Sequence, residues 1–497
     1  MNKNKARNGR LIIVDPSLKD SRGHHYALTQ AVASSAVNSS VDVLVYANRS
    51  ADAEINIAGA RIRRVFSRST YEYFTLIRKT DRMSLKDRLR YAAFAYIPAP
   101  LKKLLKRIRS KLVMTLNRVG LSIARENTCK WSGDLVNELL DALVDEKVSG
   151  GDRVLIHTAD AVMYRAILQI IQKKFPLGEH PYYHLCTPYD EKIMPHTEKG
   201  ISVQRVIKYF NLLNLINRKV FLYAENELLA QSLSRVWGVR VGSLEIPVKK
   251  ISFNKLESNH KNSILHVVYL GAAREEKGFH LLPRIISEVL KRVDGKPRVR
   301  FSIQCSPQIV GYTAKIEAAI KKLRKCPVGI VHLIMTEQSM QEYRVMLDSA
   351  DVVLLCYQQE NYRVRGSGIA VEAVVNGKNI IATPGTYPEW IAGEAGVSAS
   401  GGKEIAEAIL KIYGDRDEYA MKAQKRSEWF FEETKPHEYV NKLIENENLA
   451  GNIDEKVGQM KSKGNMNPQV NGIAGFFAGE CLGKGKGRVL FVKQDGF

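Results

Sequence analysis

The sequence predicts an α/β protein of two doubly wound domains facing a central cleft. Three observations carry that expectation. Apolar runs of strand length alternate with helical patterns in two separate series, residues 10–187 and 263–383. Between them, near residues 248–262, the polar "KKISFNKLESNHKNS" follows neither period and reads as the boundary. A chain of 497 residues is also too long for one hydrophobic core.

The elements follow in order. "RLIIVDPS" (10–17) is a continuous apolar run of the kind that a parallel strand buries on both faces. "DSRGHHYALTQAVASSA" (20–36) turns through glycine into a helix, and "VDVLVYA" (41–47) is the next strand, so the chain opens β-α-β. "DRVLIHT" (152–158), "AVMYRAILQIIQK" (161–173) and "PYYHLCT" (181–187) repeat the unit. The second series opens with "SILHVVYLGAAREEKGFHLLPRIISEVLKRV" (263–293) and continues through "VRFSIQC" (299–305), "GIVHLIM" (329–335), "DVVLLCY" (351–357) and "NIIAT" (379–383). Domains are therefore expected at 1–250 and 251–430. Residues 431–447 should form a C-terminal helix packing back on the first domain, and 448–497 a Gly/Lys/Asn-rich tail. Ligands of such sheets bind beyond the carboxyl ends of the strands, here in the cleft between the domains.

The net charge of +23 favours polyanions: nucleic acid, anionic lipid or phosphorylated substrates. The basic residues are not interleaved with a stacking aromatic platform, so no specific nucleic-acid partner is expected. Six scattered cysteines without metal-like spacing predict reduced thiols in a cytoplasmic protein, and no segment has the length of a membrane span. "PAPLKKLLKRIRSKLVMTLNRVG" (98–120) sets Leu101, Leu104, Leu105, Ile108 and Leu112 at helical spacing among lysines and arginines. Two readings stay open: a helix lying on the anionic inner face of a membrane, or a charged helix packed on its own domain.

The chemistry concentrates in "GSGIAVEAVVNGKNIIATPG" (366–385). Gly366, Ser367 and Gly368 form a turn into a helix, where unpaired N–H groups at the positive end of the dipole suit a diphosphate. Glu372, one turn inside, is placed to accept hydrogen bonds from ribose hydroxyls. The competing reading is a plain structural turn with Glu as a helix residue. Arg274 and Lys277 lie just beyond a strand end in "YLGAAREEKGFHLL" (269–282), where cations can neutralise a leaving diphosphate, or simply pair with Glu275 and Glu276.

"YLGAAREEKGFHLLP", "EYRVMLDSADVVLLCY" (342–357) and "RGSGIAVEAVVNGKNIIATPG" (365–385), in this order and spacing, resemble the donor-binding domain of the retaining GT-B glycosyltransferases, the family of glycogen synthases and mannosyltransferases. "FLYAENELLAQSLSRVWGVRVGSLEIPV" (221–248) resembles the end of that family's first domain. The resemblance covers about residues 10–447. It implies that Arg274 and Lys277 meet the donor diphosphate, that Gly366, Ser367 and Gly368 lie under it, and that Glu372 takes the ribose. The paired acid of the family falls at Val364, a departure from the pattern, with Glu360 as a substitute if the loop is longer. Arg363 and Arg365 are candidates to read an acidic sugar or phosphate. The place of the family's sugar-contacting histidine falls near Thr187, and His184 is expected inside its strand. His157, at the carboxyl edge of "RVLIH", and His24 or His25, beside Gly23 in the first strand-to-helix loop, are the alternatives for positioning sugar hydroxyls. "DRD" at Asp415 and Asp417 follows the helical "KEIAEAILKIYG" (403–414) and reads as a helix boundary, not a metal motif.

The resemblance implies transfer of a sugar from a UDP- or GDP-linked donor to a glycan, lipid-linked saccharide or polysaccharide, with retention of configuration. It implies no cofactor and no required metal. Three rivals remain: an epimerase of the same architecture, a nucleic-acid-binding protein that would also explain the charge of +23, and a non-catalytic relative that binds nucleotide sugar or polyanion.

Overall fold

The structure, a computed structural model, describes residues 9–445 except 22, 58, 71–128, 174–177, 192–193, 195–202, 249, 251–263, 294–297, 306–311, 328, 337 and 436. The basic segment 98–120, most of the boundary segment and the tail 448–497 lie outside the described residues.

Two parallel sheets order the chain. The first contains β1 (Leu11–Val14), β2 (Val43–Asn48), β3 (Arg61–Phe66), β4 (Arg153–Ile156), β5 (Tyr182–Thr187), β6 (Val220–Ala224) and β7 (Gly242–Ser243), in the order 3-2-1-4-5-6-7. The second contains β8 (Leu265–Tyr269), β9 (Val299–Gln304), β10 (Val331–Ile334), β11 (Val352–Leu355), β12 (Asn379–Ala382) and β13 (Gly396–Ser398), in the order 10-9-8-11-12-13. Both orders reverse direction once, between β1 and β4 and between β8 and β11. A doubly wound sheet opens its ligand crevice at such a point.

The central strands have the composition that this placement demands. Leu11, Ile12, Ile13 and Val14 are all at most 1% exposed, because helices cover both faces. β3 differs: at the sheet edge the RIRR of its sequence RIRRVF is exposed or half-buried and only Val65 and Phe66 are buried, which is why apolar periodicity does not reveal it.

Among the described residues, four of the helices begin where a side chain satisfies a free N–H group. The helices are α1 (Gly23–Asn38), α2 (Cys129–Asp145), α3 (Ala161–Gln172), α4 (Val203–Leu212), α5 (Glu227–Trp237), α6 (Leu282–Arg292), α7 (Ala314–Leu323) and α8 (Met340–Asp348), followed by α9 (Gln359–Tyr362), α10 (Gly368–Val375), α11 (Tyr387–Ala392), α12 (Gly401–Gly414) and α13 (Arg416–Thr434). Asp160 caps α3 by accepting from the N–H groups of Val162 and Met163, and Asn226 caps α5 from Leu229. Ser339 and Glu342 close a capping box on α8. Asp415 and Asp417 lie at the junction of α12 and α13, the helix boundary that the sequence indicates.

The chain crosses from the first sheet to the second after β7, where Ile246 and Val248 already pack in the second core. It then returns. Ser427 on α13 donates to the Val375 carbonyl at 2.5 Å, and a final helix over 437–445 buries Tyr439, Val440 and Leu443. The Tyr439 hydroxyl meets the Cys186 thiol of β5. No helix among the described residues is long and apolar enough to cross a membrane.

Candidate functional site

A cleft of about 610 Å³ opens at the carboxyl ends of the strands and is lined from both sheets. Its second-domain wall is α10 with the turn before it. Ser367 Oγ accepts from Ala370 N–H at 3.3 Å, which starts the helix. The next two N–H groups, of Gly368 and Ile369, find no acceptor among the described residues and sit at the cleft surface. The Gly366 N–H is not available in the same way. It donates to Oε1 of Glu225, beyond the end of β6, at 2.9 Å, so the expectation of a fully open turn is corrected. The reason is steric as well as polar: a Cβ at 366 would lie 2.4 Å from that oxygen.

Lys277, Arg274 and Arg365 line the same cleft. Lys277 extends over the Tyr357 ring, 5.6 Å from its centroid, with no ion pair among the described residues. Burial, together with Arg274 and Arg365 nearby, lowers its ammonium to about 8, while Glu276 pulls the other way. Gly271, at φ +96°, leaves the space it occupies, since a Cβ there would stand 3.1 Å from Nζ. Arg274 reaches Glu276 with Nη1 at 3.5 Å, but its Nε is buried with no hydrogen-bond partner. Arg365 lies over the rings of Tyr362 and Tyr189, at 5.2 and 5.8 Å. A buried unpaired donor is costly, and an anion in the cleft would satisfy it.

Glu372 lines the same cleft, and its Oε2 accepts a short hydrogen bond from the Tyr343 hydroxyl. Burial raises this carboxyl; the Tyr343 bond and Arg344 oppose the rise. Val364 is partly buried against the first core and its carbonyl accepts from Asn226 Nδ2 at 3.1 Å. Glu360 and Arg363 are exposed on and beside α9 and do not line the cleft.

On the first-domain side, Gly23 lines the cleft at the start of α1. His157 does not, which corrects the expectation that it faces the cleft. It is 3% exposed, with Nε2 2.9 Å from Thr29 Oγ1 and 3.3 Å from Asp15 Oδ2. Asp15 also takes His25 at 2.9 Å. Two histidines beside one carboxylate hold it far below the usual range despite its burial, and Asp15 in turn raises His25. The pull of this buried acid is what turns His157 inward. Of His24 the structure describes the backbone alone. His184 is fully buried, stacked on Phe221 and bonded to the Tyr223 hydroxyl, as its place inside the strand suggests. Thr187 is buried against the Tyr164 hydroxyl at 2.6 Å.

The structure adds residues that sequence reasoning missed. Glu225 is half-buried at the cleft, where burial pushes its carboxyl up to about 8 against the pull of Arg365 and the Gly366 N–H. Glu245, in the crossover to the second domain, is bonded to the Tyr387 hydroxyl at 3.1 Å and is raised to about 7. The signal for Glu225 is its place just past an apolar strand in "FLYAENE", where a doubly wound sheet presents ligand-facing residues. Among the described residues no group of three or more His, Cys, Asp or Glu side chains forms a candidate metal site.

No protein-family model matches the chain, and no curated protein matches it in sequence. Solved structures do resemble it. An α,α-trehalose-phosphate synthase (UDP-forming) from Burkholderia xenovorans, in complex with glucose-6-phosphate, aligns at 11% identity over 88% of this chain and 100% of its own, with a TM-score of 0.56. A trehalose-6-phosphate structure from E. coli bound with UDP-2-fluoro glucose gives 11% identity over 88% and 98%, with a TM-score of 0.58. Sucrose-phosphate synthase from Thermosynechococcus elongatus gives 12% over 92% and 100%, with a TM-score of 0.51. The whole described architecture is thus the GT-B fold that these proteins share.

Proposed function

We propose that the protein is a glycosyltransferase that moves a sugar from a nucleotide-sugar donor to an acceptor hydroxyl with retention of configuration. The observation that carries this reading is the convergence at one point of the cleft of Lys277, the unpartnered Arg274 Nε and the free N–H groups of α10, one turn from Glu372. Cations and helix N–H groups at one point suit a diphosphate, and a carboxylate one turn away suits a ribose. The volume of the cleft falls within the ~300–1,000 Å³ of small-ligand sites. The fold adds support, since the E. coli neighbour is bound with UDP-2-fluoro glucose and the Burkholderia one with glucose-6-phosphate.

In this reaction the acceptor oxygen forms a bond to the anomeric carbon on the face that the diphosphate leaves. The bond from that carbon to the phosphate oxygen breaks, and the acceptor proton passes to the departing phosphate oxygen. Lys277, Arg274 and the α10 N–H groups stabilise the charge that develops on the diphosphate, so rate comes from position and preorganised electrostatics. This chemistry calls for no cofactor or metal ion. The acceptor we propose is a glycan or lipid-linked saccharide at the inner face of a membrane, a reading that rests on the charge and period of 98–120.

Calorimetric titration with UDP, GDP and ADP, and with their sugar conjugates, tests the donor site. One nucleotide should bind to the wild type and lose about tenfold or more in affinity in Lys277→Ala and in Glu372→Ala. Pyrophosphate affinity should fall in Lys277→Ala and hold in Glu372→Ala. Failure of every nucleotide to bind folded protein would sink the reading. Epimerisation of donor in the absence of acceptor would replace it with the isomerase alternative.

A further inference from the structure

A nucleotide sugar is a linear chain of base, ribose, diphosphate and sugar. This inference rests on the transferase reading, in which Glu372 marks the ribose and the N–H groups of Gly368 and Ile369 mark the diphosphate. Those two positions set a direction along α10, from its interior toward its N-terminus. The next group of the donor, the sugar, therefore falls past Gly368, beside Gly366. The turn itself offers no acid there, because Val364 is apolar and packed toward the first core. The carboxyl at that place comes from the other domain.

We propose that Glu225, which follows β6, holds the sugar that is transferred, by hydrogen bonds between its carboxyl and the sugar hydroxyls. Its Oε1 is anchored on the Gly366 N–H at 2.9 Å, so the carboxyl is held against the turn that cradles the diphosphate. Oε2 has no hydrogen bond or ion pair among the described residues, and Glu225 lines the cleft. Arg365 is the nearby cation and Glu245 the nearby acid that act on it. Burial keeps the carboxyl largely protonated at neutral pH, which leaves Oε2 able to donate as well as accept, and sugar hydroxyls require both. Any side chain at 366 would press on the same carboxyl, which ties the glycine of one domain to the acid of the other.

The test compares matched probes on the full chain: UDP with UDP-glucose, GDP with GDP-mannose and ADP with ADP-glucose, titrated into wild type, Glu225→Gln and Glu225→Ala. Glu225→Gln keeps an oxygen for the Gly366 N–H, so it preserves the contact between domains while removing the acid. We expect both variants to bind the free nucleoside diphosphate within about twofold of wild type. Both should lose about tenfold or more in affinity for the sugar conjugate and in kcat/KM, as for one hydrogen bond in a buried site. A Gln variant indistinguishable from wild type, or an equal loss for nucleoside diphosphate and conjugate, would make Glu225 a structural latch and overturn the assignment. Failure of wild type to bind any of the nucleoside diphosphates would overturn the transferase reading itself, and this assignment with it.

Discussion

Lys277 illustrates how a residue acquires its chemistry from its surroundings. As an isolated lysine in "REEKG" it would pair with a neighbouring glutamate, yet in the fold its ammonium stands over Tyr357 in a half-buried site shared with Arg274 and Arg365. Its charge is therefore held with difficulty and lost as pH rises through about 8. The expected consequence is a nucleoside diphosphate affinity that declines between pH 7 and pH 9. Lys277→Arg, whose guanidinium stays charged, should bind with little change over that range. A bound diphosphate favours the ammonium, so the pH at which the site is half-filled should move upward with ligand concentration. Calorimetry at several pH values reads both effects. His157 gives the opposite lesson. Its position at a strand end predicts exposure to the cleft, but Asp15, 142 residues earlier in the chain, draws it into a buried cluster with His25 and Thr29.

Helix α10 is the element on which the site depends. Its sequence, GIAVEAVV, is apolar because the helix is largely buried, and it meets the cleft through Gly368, Ile369 and Glu372. Ser367 starts it, so Ser367→Ala should cost about 1 kcal/mol of stability, the ordinary worth of a lost N-cap, measured by urea unfolding. Gly366→Ala should act differently. The new Cβ would press on the Glu225 carboxyl at 2.4 Å, and relief comes when that side chain swings off the Gly366 N–H. A cost of roughly 1–3 kcal/mol is expected, as for a hydrogen-bond donor left without its partner, together with weaker binding of the sugar conjugate than in Ser367→Ala if Glu225 holds the sugar. Comparing unfolding with nucleotide-sugar titration for the two variants separates loss of the cap from displacement of the Glu225 carboxyl.

For the whole molecule, the contact between the two sheets carries two acids whose titration burial raises into the neutral range. Glu225 is raised to about 8 and Glu245 to about 7, from an ordinary value of 4.5, both chiefly by burial. The folded state therefore holds protons that the unfolded chain releases above pH 4.5. Their contribution to stability is fully present below that pH and is lost as pH rises to about 7–8. Each acid adds a downward slope of up to ~1.4 kcal/mol per pH unit inside the window. Urea unfolding between pH 5 and pH 8 should show stability falling with pH, and the double variant Glu225→Gln with Glu245→Gln should flatten that fall. An unchanged slope in the double variant would place the titrating groups elsewhere. What the sequence by itself determined is the order and kind of the elements: the apolar strands, the helices between them, and the glycine turn with Glu372 one turn beyond. Those follow from patterns that repeat within a few residues, and a strand buried on both faces must be apolar along its whole length. The edge strand β3, with its arginines, escaped the same logic because burial constrains only Val65 and Phe66 there. Only the tertiary structure decided which side chains share the cleft. Glu225 meets Gly366 across 141 residues of chain, and Tyr343 reaches Glu372 across 29, through the docking of one sheet on another and of one helix on the next. No local period encodes such contacts, since they depend on how separately formed surfaces fit together.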